Sequence, residues 1–317
     1  IRGGISTEKV KHQHYVPRMY LKRFGYGSKK DKKITVLKLD EGTILENSRV
    51  ENFASANFFY DTDKEHLVEA LHDDLVMIPE LFNSEKLSDE QFVEHALARE
   101  EVAISNLLDD LQENLSKVHK STNTSLMIIF LHSLAYRTKA FRDLMDDINN
   151  KTVEFLNTMC DNIGLDEDTK RKSIKENCAT GKDTQLYQMM GLQPVFKTMK
   201  MLLDNYDLYE AINNTELDFV ISDDPAKAVR LAFNDICIPI SHNKGIIFRI
   251  KDKMAPIISQ DMPVDGVIDL SLNSVVSYNS FQLQSGQKFL FGTSKAIKFM
   301  KNIWQLEYAI RQRNNNF

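Results

Sequence analysis

The hydrophobic period of this 317-residue chain changes twice along its length, and those changes restrict the folds open to it more than any other feature. Residues 33–39 alternate between polar and apolar side chains, and residues 43–50 can pair back across a turn, which predicts a β-hairpin. Three long helical patterns follow, over residues 64–82, 89–117 and 123–160. Short apolar strands then return at residues 217–222, 236–240 and 245–250. This order predicts an α+β fold: a predominantly helical bundle with an N-terminal β-hairpin and a C-terminal mixed or antiparallel β-sheet.

Weaker signals complete the outline. Before the late strands, the sequence predicts a short charged helix within 164–181 and a helix over 184–205 that is interrupted at Gly191 and Pro194. After them, it predicts a segment at 271–284 that fits either helix or strand, a strand at 288–292 and a closing helix at 294–313. The pattern leaves open whether the N-terminal hairpin joins the late strands in one sheet. We interpret residues 1–317 as a single domain with three subregions: an N-terminal basic β element (1–60), a helical bundle (61–210) and an α+β region (211–317).

Composition and cysteine usage bear on the cellular compartment. The longest apolar run, residues 126–131, is far shorter than the roughly 20 residues of a membrane span, and no signal-peptide pattern opens the sequence. Cys160, Cys178 and Cys237 are odd in number, widely spaced and without a Cys-x-x-Cys pair, which favours a reducing compartment. We therefore expect a soluble cytoplasmic protein with no membrane partner.

The net charge of −5 conceals a strong asymmetry. Residues 1–33 hold ten Lys and Arg against two acids, a local balance of +8, so the rest of the chain carries −13. A basic arm interleaved with Tyr15 and Tyr20 could follow a phosphate backbone while stacking on bases, which makes a nucleic acid or nucleotide a candidate partner. The alternative is that the lysines at 29–33 form a solvated turn, and the acidic remainder could instead recruit a protein partner.

The run HQHYVPRMYLKRF at residues 12–24 concentrates histidines, aromatics and cations. A His-x-His pair on extended backbone points both imidazoles to one face, close enough to share a metal or a phosphate, and Pro17 biases the preceding residue toward extended geometry. This segment is the first candidate site, with His14 as base or metal ligand.

The same run resembles the opening signature, roughly HHYVPxxYLxxF, of an uncharacterised and largely bacterial group, the domain-of-unknown-function 4238 family. Further blocks that resemble the family are FASANFFY at 53–60, Arg99-Glu100-Glu101, LAYRTKAFR around Arg137, FVISDDP at 219–225, IPIS at 238–241, and Asn279 ahead of KFLF at 288–291. Gln13 stands where the family has the first histidine of its pair, so His14 is the stronger candidate than His12. Lys139 replaces the family's proline. The resemblance implies accessory and mobile bacterial genes, and with them a defence or toxin role.

Ser222-Asp223-Asp224-Pro225 is the strongest acidic candidate, because it follows an apolar strand. Paired carboxylates there suit Mg²⁺ or Mn²⁺, which prefer oxygen ligands, and a nearby histidine could complete the site. The alternative is that Asp223 caps a turn through its own backbone.

Glu101 and Arg137 form a second pair, since each lies in or beside an apolar helical stripe. Two buried charges of opposite sign on adjacent helices satisfy each other most simply, which is the structural interpretation. The functional interpretation has Arg137 presenting its planar fork to a phosphate and Glu101 acting as ligand or base. His132, on a different helical face from Arg137, is interpreted as a packed core histidine.

These residues together predict a metal-assisted phosphodiester hydrolase, nuclease-like, or a related phosphate-transfer enzyme inside the cell. We assign catalysis to His14, Glu101, Arg137 and Asp223, with Asp223, Asp224 and His14 as the ligands of a divalent Mg²⁺ or Mn²⁺. Substrate contacts are assigned to Tyr15, Arg18, Tyr20 and Asn279. We expect His14 and Asp223 to line a common cavity. The alternative function is a non-catalytic module that binds protein or nucleic acid, in which the named residues are buried and mutually satisfied.

Overall fold

The computed structural model describes residues 9–28, 31–71, 89–233, 235–252 and 258–314. Strand β1 (His12–His14) pairs antiparallel with β5 (Ser55–Asn57), so the His-x-His segment is extended as predicted. Pro17 follows it and precedes helix α1 (Arg18–Leu21), which continues as a 3₁₀ turn over Lys22–Phe24. The N-terminal motif, residues 12–24, is thus a short strand followed by a short helix, with Pro17 between them.

The predicted N-terminal hairpin is confirmed. Strands β3 (Asp31–Lys38) and β4 (Thr43–Arg49) pair antiparallel, and β2 (Tyr26–Ser28) pairs with the outer part of β3. The turn between β3 and β4 contains Gly42 at φ +65°, a left-handed conformation that glycine adopts without steric cost.

The hairpin does join the late strands in one sheet. Strand β11 (Phe289–Gly292) lies between β3 and the short strand β7 (Ile221–Ser222), antiparallel to both. The predicted strand at 217–222 is shortened to its last two residues, and the backbone before them bonds elsewhere, with the Val220 N–H donating to the Asn279 side chain. Segments far apart in the chain thus form one sheet.

The second sheet is mixed, as predicted for the C-terminal region. Its strands, in spatial order, are β10 (Val267–Asp269), β6 (Tyr206–Ile212), β9 (Lys244–Ile250) and β8 (Asp235–Pro239). The β10 and β6 pair is parallel, and the other two pairs are antiparallel. Strand β6 was not predicted: it follows a helix directly, without a turn signal at the boundary.

Helices account for most of the chain between the hairpin and the second sheet. They are α2 (Lys64–Ala70), α3 (Phe92–Glu113), α4 (Ser121–Tyr136), α5 (Lys139–Asn162), α6 (Glu167–Asn177), α7 (Gly181–Met190) and α8 (Leu192–Asn205). After the strands come α9 (Lys227–Arg230), α10 (Leu272–Ser285) and α11 (Ser294–Asn314), so the ambiguous segment at 271–284 is a helix. The predicted helix at 64–82 is observed as α2 at its start, and its residues 72–82 lie outside the described residues.

The prediction of one continuous helix over 123–160 is wrong, because the chain breaks between α4 and α5. Thr138 adopts extended backbone angles, and its hydroxyl accepts the Phe141 N–H at 3.2 Å, which caps the N-terminus of α5. The break places Arg137 at the C-terminal end of α4, where its side chain is only 2% exposed.

A continuous apolar core connects the two larger sheets and the helices. Among its fully buried aromatic members are Phe24, Phe130, Phe219, Phe248 and Phe291, which come from the N-terminal motif, α4 and the strand regions. None of the helices in the described part of the chain is long and apolar enough to span a bilayer.

Candidate functional site

A polar cavity of about 630 Å³ opens where β1, α1, α3 and the end of α4 meet. We call it the His14 cavity. Its titratable lining residues are His12 and His14 from β1, Arg18 from α1, Glu51 from a 3₁₀ turn, Glu94 and Glu101 from α3, and Arg137 at the end of α4. Of the predicted site residues, the structure therefore brings four together: His14, Arg18, Glu101 and Arg137.

Local geometry explains why β1 and α3 deliver these side chains. Alternate residues of a strand point to one face, so His12 and His14 both line the cavity. Gln13 points the opposite way and is fully buried, with its side-chain oxygen accepting the Tyr60 N–H. Glu94 and Glu101 are seven residues apart on a helix and therefore share a face.

The Arg137 guanidinium makes two polar contacts, lies 5.9 Å from the centre of the Tyr60 ring, and has capacity for more hydrogen bonds. Its Nη2 donates to the His14 carbonyl oxygen at 2.7 Å and lies 2.9 Å from a Glu101 carboxylate oxygen. Its Nε and Nη1 are buried and have no hydrogen-bond partner among the described residues. Burial lowers the pKa of Arg137, but Tyr60 and Glu101 more than offset that effect, so its pKa stands above the ordinary value and the group stays charged.

His14 is neutral at physiological pH. Burial, followed by the charges of Arg18 and Arg137, lowers its pKa to about 4, while a hydrogen bond to the Glu51 backbone opposes this shift. Its Nε2 is buried and has no hydrogen-bond partner. The backbone contact therefore belongs to Nδ1, which leaves a lone pair on Nε2 that can accept a proton.

The carboxylates of the cavity differ in their environments. Burial, together with the neighbouring charge of Glu101, raises the pKa of Glu94, although Arg137 opposes the shift. Burial also acts to raise the pKa of Glu51, but a backbone hydrogen bond, Lys22 and Arg18 lower it overall. With both histidines counted as neutral, three carboxylates face two guanidinium groups, so the cavity carries one formal negative charge.

Asp223 does not line the His14 cavity. It is 4% exposed, and its carboxylate accepts the backbone N–H groups of Gln287 at 2.8 Å and Lys288 at 3.1 Å. Burial raises its pKa to about 6, against the effect of these hydrogen bonds. These contacts join Asp223 to backbone 64 and 65 residues away along the chain, next to β11, whereas the alternative interpretation had Asp223 cap a turn through its own backbone.

Asp224 is also absent from the lining of the His14 cavity. Both of its carboxylate oxygens accept from Arg230, one of them at 2.8 Å, and the Thr138 hydroxyl donates to it at 3.3 Å. The Asp224 side chain is 2% exposed and the Arg230 side chain is 9% exposed. Arg230 also donates to the Ala135 carbonyl oxygen, so Asp224 helps to hold α9 against α4.

Three of the predicted substrate contacts lie in the interior. Tyr20 is fully buried and donates its hydroxyl hydrogen to the Pro239 carbonyl oxygen at 2.6 Å. Asn279 is fully buried between the backbone of Val220 and that of Asp218. Tyr15 is 4% exposed and packs against Phe59. The fourth, Arg18, is exposed and lines the cavity.

His132 is a core histidine, as interpreted from the sequence. Its two ring nitrogens lie 2.8 Å from the Thr198 hydroxyl and 2.6 Å from the Gln188 carbonyl oxygen. Within the described ranges, no group of three or more His, Cys, Asp and Glu side chains is arranged to hold a metal ion.

Sequence reasoning missed Glu51 and Glu94. The spacing of Glu94 and Glu101, seven residues apart on a predicted helix, could have identified Glu94 as a neighbour of Glu101. No local pattern marks Glu51, because it enters the cavity from a short turn whose position depends on the surrounding fold.

Fold and site together define an α+β protein with a buried cationic side chain at a polar cavity. The sequence profile of the family described as "Protein of unknown function (DUF4238)" matches residues 12–296, and the chain belongs to this family. Comparisons with curated proteins and with solved structures give no match.

Proposed function

We propose that the protein is a metal-assisted phosphodiester hydrolase, nuclease-like in its chemistry, with the His14 cavity as its active site. The observation that carries the proposal is the pair of buried, unpartnered groups at this cavity: Nε and Nη1 of Arg137 and Nε2 of His14. A buried donor without a partner costs about 1–3 kcal/mol, and more when it is charged. Buried polar groups in native proteins are usually bonded to protein or to bound water, and under this proposal a ligand phosphate supplies the partner here.

The proposed roles follow from the chemistry of each group. Arg137 and Arg18 bind the non-bridging oxygens of a phosphate, because a guanidinium presents paired N–H groups to an oxyanion. His14 accepts the proton of an attacking water at Nε2, since the ring is neutral and this nitrogen is left without a protein partner in the described residues. Binding of an anion next to His14 would also raise the pKa of its imidazole toward the range of an effective base.

A divalent cation in the same cavity is part of this proposal. Glu94 and Glu101 lie about 10.5 Å apart along the helix axis, so one of them would supply an oxygen ligand, and the excess of one negative charge favours a cation. Mg²⁺ commonly uses one or two protein carboxylates, with water and substrate phosphate completing its shell, so a cluster of three protein ligands is not required. When bound, such an ion lowers the pKa of an attacking water and neutralises developing charge.

The test is hydrolysis of bis-p-nitrophenyl phosphate and of short oligonucleotides by the purified chain, with Mg²⁺, with Mn²⁺ and with chelator. We expect metal-dependent hydrolysis that falls about 100-fold or more in His14→Ala, which is the usual range for loss of a general base. The hydrolytic activity of Arg137→Gln should fall by a similar factor. Thermal unfolding of each variant shows whether the loss reflects chemistry or folding.

His66→Ala is the matched control for His14→Ala. His66 is an exposed histidine paired with Asp63 and does not line the His14 cavity. It should retain wild-type activity. Absence of hydrolysis of every phosphodiester tested, with either metal, would overturn the hydrolase proposal, and so would full activity in a folded His14→Ala variant.

A non-catalytic binding module is the second candidate. It is favoured by Asp223, Asp224 and Asn279, which are buried and have their polar groups satisfied by protein partners. In this case Arg137 would bind an anionic ligand without turnover. Calorimetric binding of an oligonucleotide, with no cleavage detected, would support it.

The cellular setting belongs to the same proposal. All three cysteines are free thiols, two of them buried, which fits a reducing compartment and supports a cytoplasmic location. A bacterial defence or toxin role would be tested by expressing the wild-type chain and His14→Ala in a bacterial host and comparing growth and phage plating.

A further inference from the structure

A second cavity of about 520 Å³ also borders helix α1, since Met19 lines it and the preceding residue, Arg18, lines the His14 cavity. We call it the Lys32 cavity. Its polar lining includes Lys22 and Arg23 from the 3₁₀ turn, Lys32 from β3, Asp109 from α3 and His242 from the turn between β8 and β9. These residues come from segments that are separated in sequence by up to 220 positions, so the cavity is a product of the tertiary fold.

The charge of this cavity is opposite to that of the first. Three cations face a single carboxylate, that of Asp109, and the Asp109 side chain is 72% exposed to solvent. The balance of two positive charges favours an anion. A concave basic surface also concentrates field lines and attracts anions more strongly than the same charges on a flat surface.

Several polar atoms here are incompletely bonded. Arg23 donates through Nη2 to the Ser105 carbonyl oxygen at 3.2 Å and to Asp109, but its Nε is buried and has no partner. The Nδ1 atom of His242 is likewise buried and unpartnered. Lys32 makes a single long hydrogen bond, 3.4 Å, to the Gly25 carbonyl oxygen, which leaves its ammonium free to bind another oxygen.

The two cavities are joined by an ion pair. Lys22 lines the Lys32 cavity and lies 3.6 Å from Glu51, which lines the His14 cavity. Arg18 and Lys22 are one helical turn apart, about 6 Å along the axis at 1.5 Å per residue. The two linings are therefore neighbours in the N-terminal motif, where Arg18 lines one cavity and Lys22 the other.

We propose that the Lys32 cavity binds a flanking phosphate of a nucleic-acid strand whose scissile phosphodiester lies in the His14 cavity. This inference rests on the proposed function and deepens it: the substrate is a polynucleotide strand rather than a free nucleotide. Lys22, Arg23 and Lys32 neutralise the flanking phosphate, and the unpartnered His242 nitrogen accepts a hydrogen bond from a sugar hydroxyl or a base N–H group.

The test separates the two cavities with substrates of different length. Bis-p-nitrophenyl phosphate has one phosphodiester and reaches only the His14 cavity, whereas a short single-stranded DNA or RNA oligonucleotide reaches both. Binding of labelled oligonucleotides is measured by fluorescence anisotropy at a series of salt concentrations. Lys32→Gln is the test variant. Lys38→Gln, on the same strand but lining neither cavity, is its control.

We expect Lys32→Gln to bind the oligonucleotide about tenfold more weakly at low salt, with a log–log salt slope smaller in magnitude by about 0.7, the value for one phosphate contact on a single strand. Its hydrolysis of bis-p-nitrophenyl phosphate should equal that of the wild type. Lys38→Gln should match the wild type in both measurements. Arg23→Gln, with unfolding monitored, should reproduce the binding loss.

Wild-type affinity and salt slope in both Lys32→Gln and Arg23→Gln would overturn this inference, and so would failure of the wild-type chain to bind any oligonucleotide. Neither result depends on turnover. If oligonucleotide binding behaves as expected but no phosphodiester is cleaved, the hydrolase proposal fails, and only the part of the inference that assigns a strand phosphate to the Lys32 cavity stands. The two failures are therefore distinguishable.

Discussion

Single side chains show how similar residues acquire different roles in this protein. Asp223 accepts two backbone N–H groups, whereas Asp224, the next residue, is paired with Arg230 in the interior. Glu101 is also paired with an arginine, but that pair lies at a cavity. The pattern SDDP alone therefore does not distinguish a site carboxylate from one that stabilises the fold.

The Asp224–Arg230 pair gives a stability prediction. Arg230→Ala leaves a buried carboxylate without its partner, which we expect to cost about 3–5 kcal/mol of unfolding free energy. Chemical denaturation measures the change. Lys151→Ala breaks an exposed pair with Asp147 and should cost less than about 1 kcal/mol. Equal small losses in both variants would contradict the assignment of a buried, structural pair.

His14 and Asp223 should contribute opposite pH slopes to stability. The folded pKa of His14, about 4, is below its ordinary value of 6.5, so the folded state binds fewer protons and stability rises with pH across that window. The folded pKa of Asp223, about 6, is above its ordinary value of 3.8, so stability falls as pH rises from about 4 to 6. Each slope is at most about 1.4 kcal/mol per pH unit.

Urea unfolding at several pH values, with His14→Gln and Asp223→Asn, checks this. The stability of the wild type relative to His14→Gln should increase with pH up to about 6.5 and then level off. Relative to Asp223→Asn it should decrease with pH up to about 6. If the difference in unfolding free energy between the wild type and either variant does not change with pH, the pKa of the replaced side chain is not shifted as described.

At the scale of elements, the hairpin and the C-terminal helix depend on each other. Trp304 of α11 lies over the hairpin turn, and its ring N–H donates to the Leu39 carbonyl oxygen at 3.1 Å. A Cβ atom at Gly42 would lie 2.3 Å from the Trp304 ring. The turn therefore requires glycine for two reasons, its left-handed backbone and the close approach of the indole ring.

Gly42→Ala should destabilise the protein more than Gly164→Ala. Both glycines have positive φ values, +65° and +70°, so both substitutions incur the backbone cost of about 1–2 kcal/mol. Only Gly42 has a neighbour within 4 Å of the added Cβ, and displacing Trp304 should add about 1–3 kcal/mol. Thermal unfolding and Trp304 fluorescence measure the two effects. Equal destabilisation would mean that the indole ring moves away at no cost.

At the scale of the whole molecule, segments from the N-terminal and C-terminal regions form one sheet together. Strand β11 fills the gap between β3 and β7, and α11 packs on the hairpin. The N-terminal motif also reaches the second sheet, since Tyr20 donates to the Pro239 carbonyl oxygen. Each of the two larger sheets, and the apolar core, contains residues from both sides of residue 210.

We therefore expect a single cooperative unfolding transition, with coincident curves from far-ultraviolet circular dichroism and Trp304 fluorescence. A fragment ending before β11 should not fold, because β3 and β7 would then lack the strand that lies between them. Two separated transitions, or a protease-resistant fragment of residues 1–210, would contradict the single-domain interpretation.

Local pattern was sufficient for those parts of the structure that depend on neighbours in sequence. Alternation predicted the hairpin, and apolar periodicity predicted the main helices. Strand β6 was not predicted, because it follows helix α8 directly, with no loop between them. The break at Thr138 was missed because helical periodicity continues through it, whereas the hydroxyl cap and the contact with Asp224 depend on the folded environment. His-x-His spacing correctly placed both imidazoles on one face.

Only the tertiary structure decided which polar residues share a cavity. Arg137 and His14 are 123 residues apart and meet through a side-chain to backbone hydrogen bond, which no local period encodes. Asp223, which the sequence favoured as a ligand, instead binds backbone N–H groups near β11, while the unremarked Glu51 and Glu94 line the cavity. The physical reason is that a side chain's role depends on its burial and on the partners within hydrogen-bond distance. Those partners come from segments that only folding brings together.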